Sequence, residues 1–232
     1  MKGPAERVAR ATAWLVVGRV YAALCALLTT WFLTEYLSLA DLGRFTFYLA
    51  VLAIAKSAGD LGTGQVIVQR TAHDEASIPL ELSAARRVRG VTSALAASTV
   101  ALFFWLTGER DPAWLALAGL HPLTYLLELS STVYKNRITW RVPVASRALA
   151  STMVLAALWA LGRAGVDRPA VFLATQVGCH LVANVFLHLA ARRHLQPHPG
   201  GPTPWRALFK VALPLGIAAL CQQAYHHADH FL

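Results

Sequence analysis

The sequence predicts an all-α integral membrane protein with about seven transmembrane helices. Three observations carry that reading. Of 232 residues, 56% are hydrophobic and 14% charged, against about 25% charged in soluble domains. The apolar residues form runs long enough for the roughly 20 residues that a helix needs to cross hydrocarbon. The alternation of a membrane barrel is absent, so backbone polar groups must be satisfied within helices.

The spans are expected near 11–33, 44–68, 88–106, 113–133, 142–162, 169–190 and 207–230. The first follows Lys2, Arg7 and Arg10 and is longer than the apolar core of a signal peptide, so it reads as an uncleaved helix. The second opens on FTFYLAVL and continues as AIAKSAGDLGTGQVIVQR, where Lys56, Asp60 and three glycines interrupt the apolar run. Residues 69–87 form the longest loop, amphipathic in character. Asp111-Pro112 and Arg168-Pro169 mark the starts of the fourth and sixth spans, because proline suits the first helical turn. Pro122 and Pro214 fall inside spans. Cys25, Cys179 and Cys221 all lie in apolar runs and read as small buried hydrophobes, with no disulfide framework or CxxC metal site.

The net charge is +9. Assigning Lys and Arg to alternate sides of the spans explains it. Lys2, Arg7, Arg10, Arg70, Arg86, Arg87, Arg89, Lys135, Arg137, Arg141, Arg147, Arg192, Arg193, Arg206 and Lys210 collect on one side. Only Arg44, Arg110, Arg163 and Arg168 fall on the other. Cytoplasmic loops carry the Lys/Arg excess, so the N-terminus is expected inside. Contact with anionic lipid accounts for the basic balance, and no nucleic acid need be invoked.

Charges at membrane depth are costly and usually face a polar cavity or a partner. Lys56 and Asp60 are four apart and share a helix face. They read either as a pair lining a water-filled pathway or as a self-neutralising pair at the end of a shorter helix. Arg19, within the first span, lines a cavity or snorkels to the headgroups; Arg147 is shallower and snorkels. Glu128 pairs with Lys135 or Arg137 near the interface, or sits in the cavity. His180 reads as a satisfied buried histidine and His188 as interfacial. In AYHHADHFL, His226, His227 and His230 have spacings that can hold a metal on a helix. HExxH is absent and no other Cys/His cluster completes a site, so no metal or other cofactor is expected. Asp229 remains either a polar helix end or a proton or sodium site. No GxSxG, GxxxxGK[ST] or GxGxxG motif is present. Scattered intramembrane polar groups suit a conduit better than an enzyme.

The stretch WFLTEYLSLADLGRFTFYLAVLAIAKSAGDLGTGQVIVQR, Trp31–Arg70, resembles the start of the polysaccharide transporter family. These are oligosaccharide-lipid flippases of the multidrug/oligosaccharidyl-lipid/polysaccharide exporter superfamily. The resemblance rests on the turn at Leu37, Ser38, Leu42 and Gly43, with Leu42 in place of the usual aromatic, and on Asp60-Leu61-Gly62 followed by Arg70. The seventh span resembles the opening of the family's second lobe, with an early Pro214 and a late Asp229. His-His-Ala stands where Arg or Lys often precedes that Asp. AALC recurs at Ala22–Cys25 and Ala218–Cys221, six spans apart, as a six-helix repeat would have it.

The resemblance implies two six-helix lobes around a cleft. Residues 1–195 would then be the N-terminal lobe, 196–206 a cytoplasmic linker, and 207–232 the first helix of a second lobe that this chain truncates. It implies a flippase in the cytoplasmic membrane that moves a lipid-linked oligosaccharide or polysaccharide precursor by alternating access. The cargo would be polyprenyl-diphosphate-linked, with Arg19, Lys56 and Asp60 at the headgroup and Asp229 and Glu128 as ion-coupling candidates. A multidrug or metabolite exporter of the same superfamily is the alternative. A membrane glycan polymerase or transferase is a third reading, disfavoured because no sizeable catalytic loop is present.

Overall fold

The computed structural model describes residues 4–72, 74–109, 112–195 and 205–226. Within them the chain is all-α. Five helices are long and apolar enough to cross a membrane: α1 (Pro4–Tyr36), α4 (Ile78–Leu106), α7 (Arg141–Arg163), α8 (Pro169–Arg192) and α9 (Trp205–His226). Between them lie α2 (Leu39–Asp60), α3 (Thr63–Thr71), α5 (Pro112–Glu128) and α6 (Thr132–Asn136). The expected starts at Pro112 and Pro169 are where α5 and α8 begin. Residues 227–232, including Asp229, His227 and His230, lie outside the described residues, as does the 196–204 stretch of the expected linker.

Several expected boundaries differ. The fourth span does not run unbroken to 133, because α5 ends at Glu128 and a 3-10 turn, Leu129–Ser131, leads into α6. The second span is not one helix to residue 68. Ser38 caps α2, its Oγ accepting from the Asp41 backbone N–H at 3.1 Å, but the helix stops at Asp60. Leu61 and Gly62 both adopt the left-handed conformation, at φ 43° and 69°, and α3 starts afresh at Thr63. The third span begins ten residues earlier than expected. Ile78, Leu82, Ala85 and Val88 form a buried stripe at helical spacing, so much of the amphipathic loop is the first turns of α4.

Lipid is as apolar as leucine, so close packing and interhelical hydrogen bonds hold membrane helices together. Both are present. One apolar cluster gathers Phe45, Tyr48, Phe104, Trp114, Leu158 and Phe172 from five helices. At the opposite, basic end, Val66, Ile67, Leu82, Leu129 and Leu208 form a second cluster. The Tyr21 and Thr152 hydroxyls meet at 2.7 Å, joining α1 to α7. Ser146 Oγ donates to the Ala183 carbonyl at 2.7 Å, joining α7 to α8. Asn184 Nδ2 donates to the Thr124 carbonyl at 3.0 Å, joining α8 to α5. Thr92 Oγ1 donates to the Gly59 carbonyl at 2.6 Å, joining α4 to α2. Helix α1 leans on α7 and makes few contacts with α2.

Helix α9 packs on the α2–α3 break. A Cβ on Gly216 would sit 2.6 Å from the Leu61 Cα, and a Cβ on Gly62 would sit 2.9 Å from the Leu215 Cβ. Glycine at 62 also meets the positive φ that the break requires. Gly216→Val should therefore push α9 off the break and lower the apparent melting temperature in detergent by several degrees. That corresponds to the roughly 1–3 kcal/mol typical of overpacking. An unchanged midpoint would contradict the close approach.

Candidate substrate cavity

A cavity of about 700 Å³ opens inside the bundle, walled by α1, α2, α5, α7 and α8, with Ser131 and Lys135 at its rim. Its polar lining comes from separate helices. Arg19 projects from α1, Lys56 from α2, Glu128 from the end of α5, Lys135 from α6 and Arg147 from α7, while Gln176, His180 and Asn184 come from α8. Four cations and one carboxylate therefore border one space. Lys56 Nζ lies 2.9 Å from the Glu128 carboxylate and 5.6 Å from the centroid of the Tyr125 ring. Both members of this pair are partly exposed, at 48% and 39% of their side chains, so the pair is wet rather than sealed. Among the described residues, Arg19, Arg147 and Lys135 have no carboxylate partner. His121 closes one wall: its Nε2 bonds the Leu52 carbonyl at 3.0 Å and its ring stands edge-on to Tyr125.

The expected pairing of Lys56 with Asp60 is not the one that forms. The two side chains lie one turn apart on α2 but reach different helices. Lys56 turns to Glu128 in the cavity. Asp60, which does not line the cavity, pairs with Arg89 on α4. Glu128 likewise takes Lys56 rather than Lys135 or Arg137 as its ion-pair partner, and Lys135 is a neighbour across the rim. Arg147 lines the cavity instead of only snorkelling, and so does His180, which is exposed rather than buried. His188 bonds the Ser130 hydroxyl. Cys25 and Cys179 are buried as expected, whereas Cys221 is exposed on α9.

The count of basic residues places Arg89 with the cations of the cytoplasmic side, yet it is 5% exposed. Its Nε donates to Thr63 Oγ1 at 2.9 Å, one terminal nitrogen donates to the Tyr125 carbonyl at 2.7 Å, and the other pairs with Asp60. Thr63 Oγ1 also bonds Asp60 Oδ1 at 3.1 Å. One guanidinium thus ties the break in α2 to α4 and α5 and sets the helix from which Lys56 projects. The signal available in the sequence was the charged RRVR run inside an apolar stripe, which identifies no partner. Among the described residues no group of three or more His, Cys, Asp or Glu side chains could hold a metal ion.

The family model described as polysaccharide biosynthesis protein matches residues 8–232. The chain belongs to that family, and its role is that of a multi-pass membrane transporter in polysaccharide biosynthesis. No curated protein and no solved structure matches the chain.

Removing Arg89 takes away three contacts of a buried guanidinium, although the Asp60 carboxylate it strands is 40% exposed and solvent screens it, so the cost falls below the roughly 3–5 kcal/mol of a fully buried pair. Arg89→Gln should therefore destabilise the detergent-solubilised protein, read as a fall in the thermal midpoint. Asp60→Asn in the same chain should recover part of the loss, because the stranded carboxylate is gone. A double variant as unstable as the two single losses combined would contradict the coupling.

Proposed function

We propose that the chain is a flippase that carries a polyprenyl-diphosphate-linked oligosaccharide or polysaccharide precursor across the cytoplasmic membrane by alternating access. The observation that carries this reading is the cavity's charge: four cations against one carboxylate, drawn from five helical elements. In a cavity walled by protein unlike charges attract more strongly than in bulk water. A surplus of positive charge favours a multiply anionic headgroup such as a diphosphate. The polar amides of Gln176 and Asn184 and the hydroxyls of Ser131 and Thr124 supply partners for sugar hydroxyls.

In this mechanism Arg19, Lys56 and Arg147 hold the diphosphate and Lys135 draws it toward the rim. Glu128 is the counterion that the substrate displaces from Lys56. Asp60 acts at one remove, by fixing the end of α2 through Arg89. The bundle's basic end faces the cytoplasm, placing the N-terminus inside. Helix α9 opens a second lobe, against which the first rocks, and the polyprenyl tail stays in lipid as the head crosses. Coupling to an ion falls to Glu128 or to Asp229.

An exporter of cationic drugs would need the opposite cavity charge, and the surplus of cations counts against that alternative. A polymerase or transferase would need catalytic groups beyond those lining the cavity.

Binding of inorganic pyrophosphate to the purified chain in detergent tests the assignment. Lys56→Gln and Arg147→Gln should each weaken it about tenfold, as expected for loss of one charge-assisted contact of about 1.4 kcal/mol. Asp60→Asn should change it much less. Equal affinity in the wild-type chain and both cation variants would remove the diphosphate from this cavity.

A further inference from the structure

A second cationic cluster lies beside the cavity but not in it. Ser130 and His188 each follow or adjoin a cavity-lining residue, Ser131 and Leu187, yet both turn away from that space. The Ser130 hydroxyl meets His188 Nδ1 at 2.8 Å. An Arg86 terminal nitrogen, from α4, reaches the same Nδ1 at 3.4 Å. Arg192 stands one turn beyond His188 on α8, and the charges acting on His188 are Arg86 and Arg192, both positive. Among the described residues neither arginine has a carboxylate partner.

Arg192 alone would need no explanation, since a cation in the last turn complements the helix dipole. Arg86 is different. It is part-buried in the third turn of α4 and spends one long hydrogen bond on an imidazole that Ser130 already occupies. A guanidinium has five N–H donors in a planar fork. Most of these are unmet among the described residues, and the charge acting on it, Arg192, repels it. The two guanidinium groups repel each other and have no carboxylate partner among the described residues, so an anion from outside would balance both.

We propose that Arg86, Arg192, His188 and Ser130 form a phosphate-binding site separate from the transport cavity. The ligand class is a phosphate mono- or diester anion. Basic pockets between helices at a membrane's edge take lipid headgroups of this chemistry, and a soluble phosphate offers the same oxygens. The two arginines hold the anion from α4 and α8, and the Ser130 hydroxyl fixes the imidazole between them. Occupancy would clamp α4 to α8 at the basic end, where Ile78, Val133, Leu187 and Ala191 already pack.

The test uses the full chain in micelles of a non-ionic, phosphate-free maltoside detergent. In one arm phosphatidylglycerol is titrated in and retained lipid is counted by native mass spectrometry. In the other, inorganic phosphate alone is added and the thermal midpoint is followed. Arg192→Gln, at an exposed position, and Arg86→Gln should each cut anion retention about fivefold, the effect of about 1 kcal/mol per basic residue near a membrane surface. Arg141→Gln, an exposed cation stacked on Trp14, should leave it unchanged. Loss confined to the phosphatidylglycerol arm identifies a lipid site, and loss in the phosphate arm alone identifies a soluble ligand. If Arg86→Gln does not fold, Arg192→Gln decides by itself. Lipid retention and phosphate-induced midpoint shift that are both indifferent to Arg192→Gln, or equally reduced by Arg141→Gln, would overturn the site.

Discussion

The structure turns on how one helix, α2, disposes of two opposite charges. Lys56 and Asp60 lie one turn apart, and the simplest neutral arrangement would join them. Each instead finds its partner on another helix, Glu128 on α5 and Arg89 on α4. The consequence is architectural. An internal pair would have closed the charge within α2 and left nothing to organise around it. Separate pairs tie α2 to two neighbours and leave a wet, half-exposed ion pair at the wall of a cavity. The break at Leu61-Gly62 serves the same end, because it frees the last turn of α2 to present Asp60 to a buried guanidinium.

Much of the architecture was readable in the sequence. Long apolar runs, Pro112 and Pro169 located the helices, and Lys56, Asp60 and three glycines marked residues 53–70 as anomalous. What the sequence could not show was partnership. Asp60 and Arg89 are 29 positions apart, and a one-dimensional count of basic residues places Arg89 at the interface because its neighbours Arg86 and Arg87 are there. Helical spacing made Lys56 and Asp60 look like a pair, but spacing gives reach and not preference. Better-matched donors on α4 and acceptors on α5 won. The break at Leu61 was hidden for a different reason: a left-handed leucine is uncommon, and only the following Gly62 hints at it. The early start of α4 was masked because its first turns are amphipathic, which reads as a loop when the expected pattern is an unbroken apolar run.

The close seam between α9 and the break bears on how movement could be transmitted. Leu61 and Gly62 touch Leu215 and Gly216 with no room for larger side chains. Arg89 sits immediately behind that seam, bound to the carbonyl of Tyr125, whose ring lies under Lys56. Cavity, break and α9 are thus joined through contiguous contacts. In the proposed cycle a change at Lys56 and Glu128 has a short physical route to α9, the proposed start of a second lobe. The family assignment rests on residues 8–232 as a whole, whereas the substrate reading rests on these few side chains.

Glu128 offers the most direct test. If it is the internal counterion that an anionic headgroup displaces, removing its charge must help the anion. In the Glu128→Gln chain, pyrophosphate affinity measured by isothermal titration in detergent should rise about tenfold, equivalent to about 1.4 kcal/mol of relieved competition. An affinity unchanged or weakened by Glu128→Gln, in a protein of normal thermal midpoint, would contradict an anion site at Lys56.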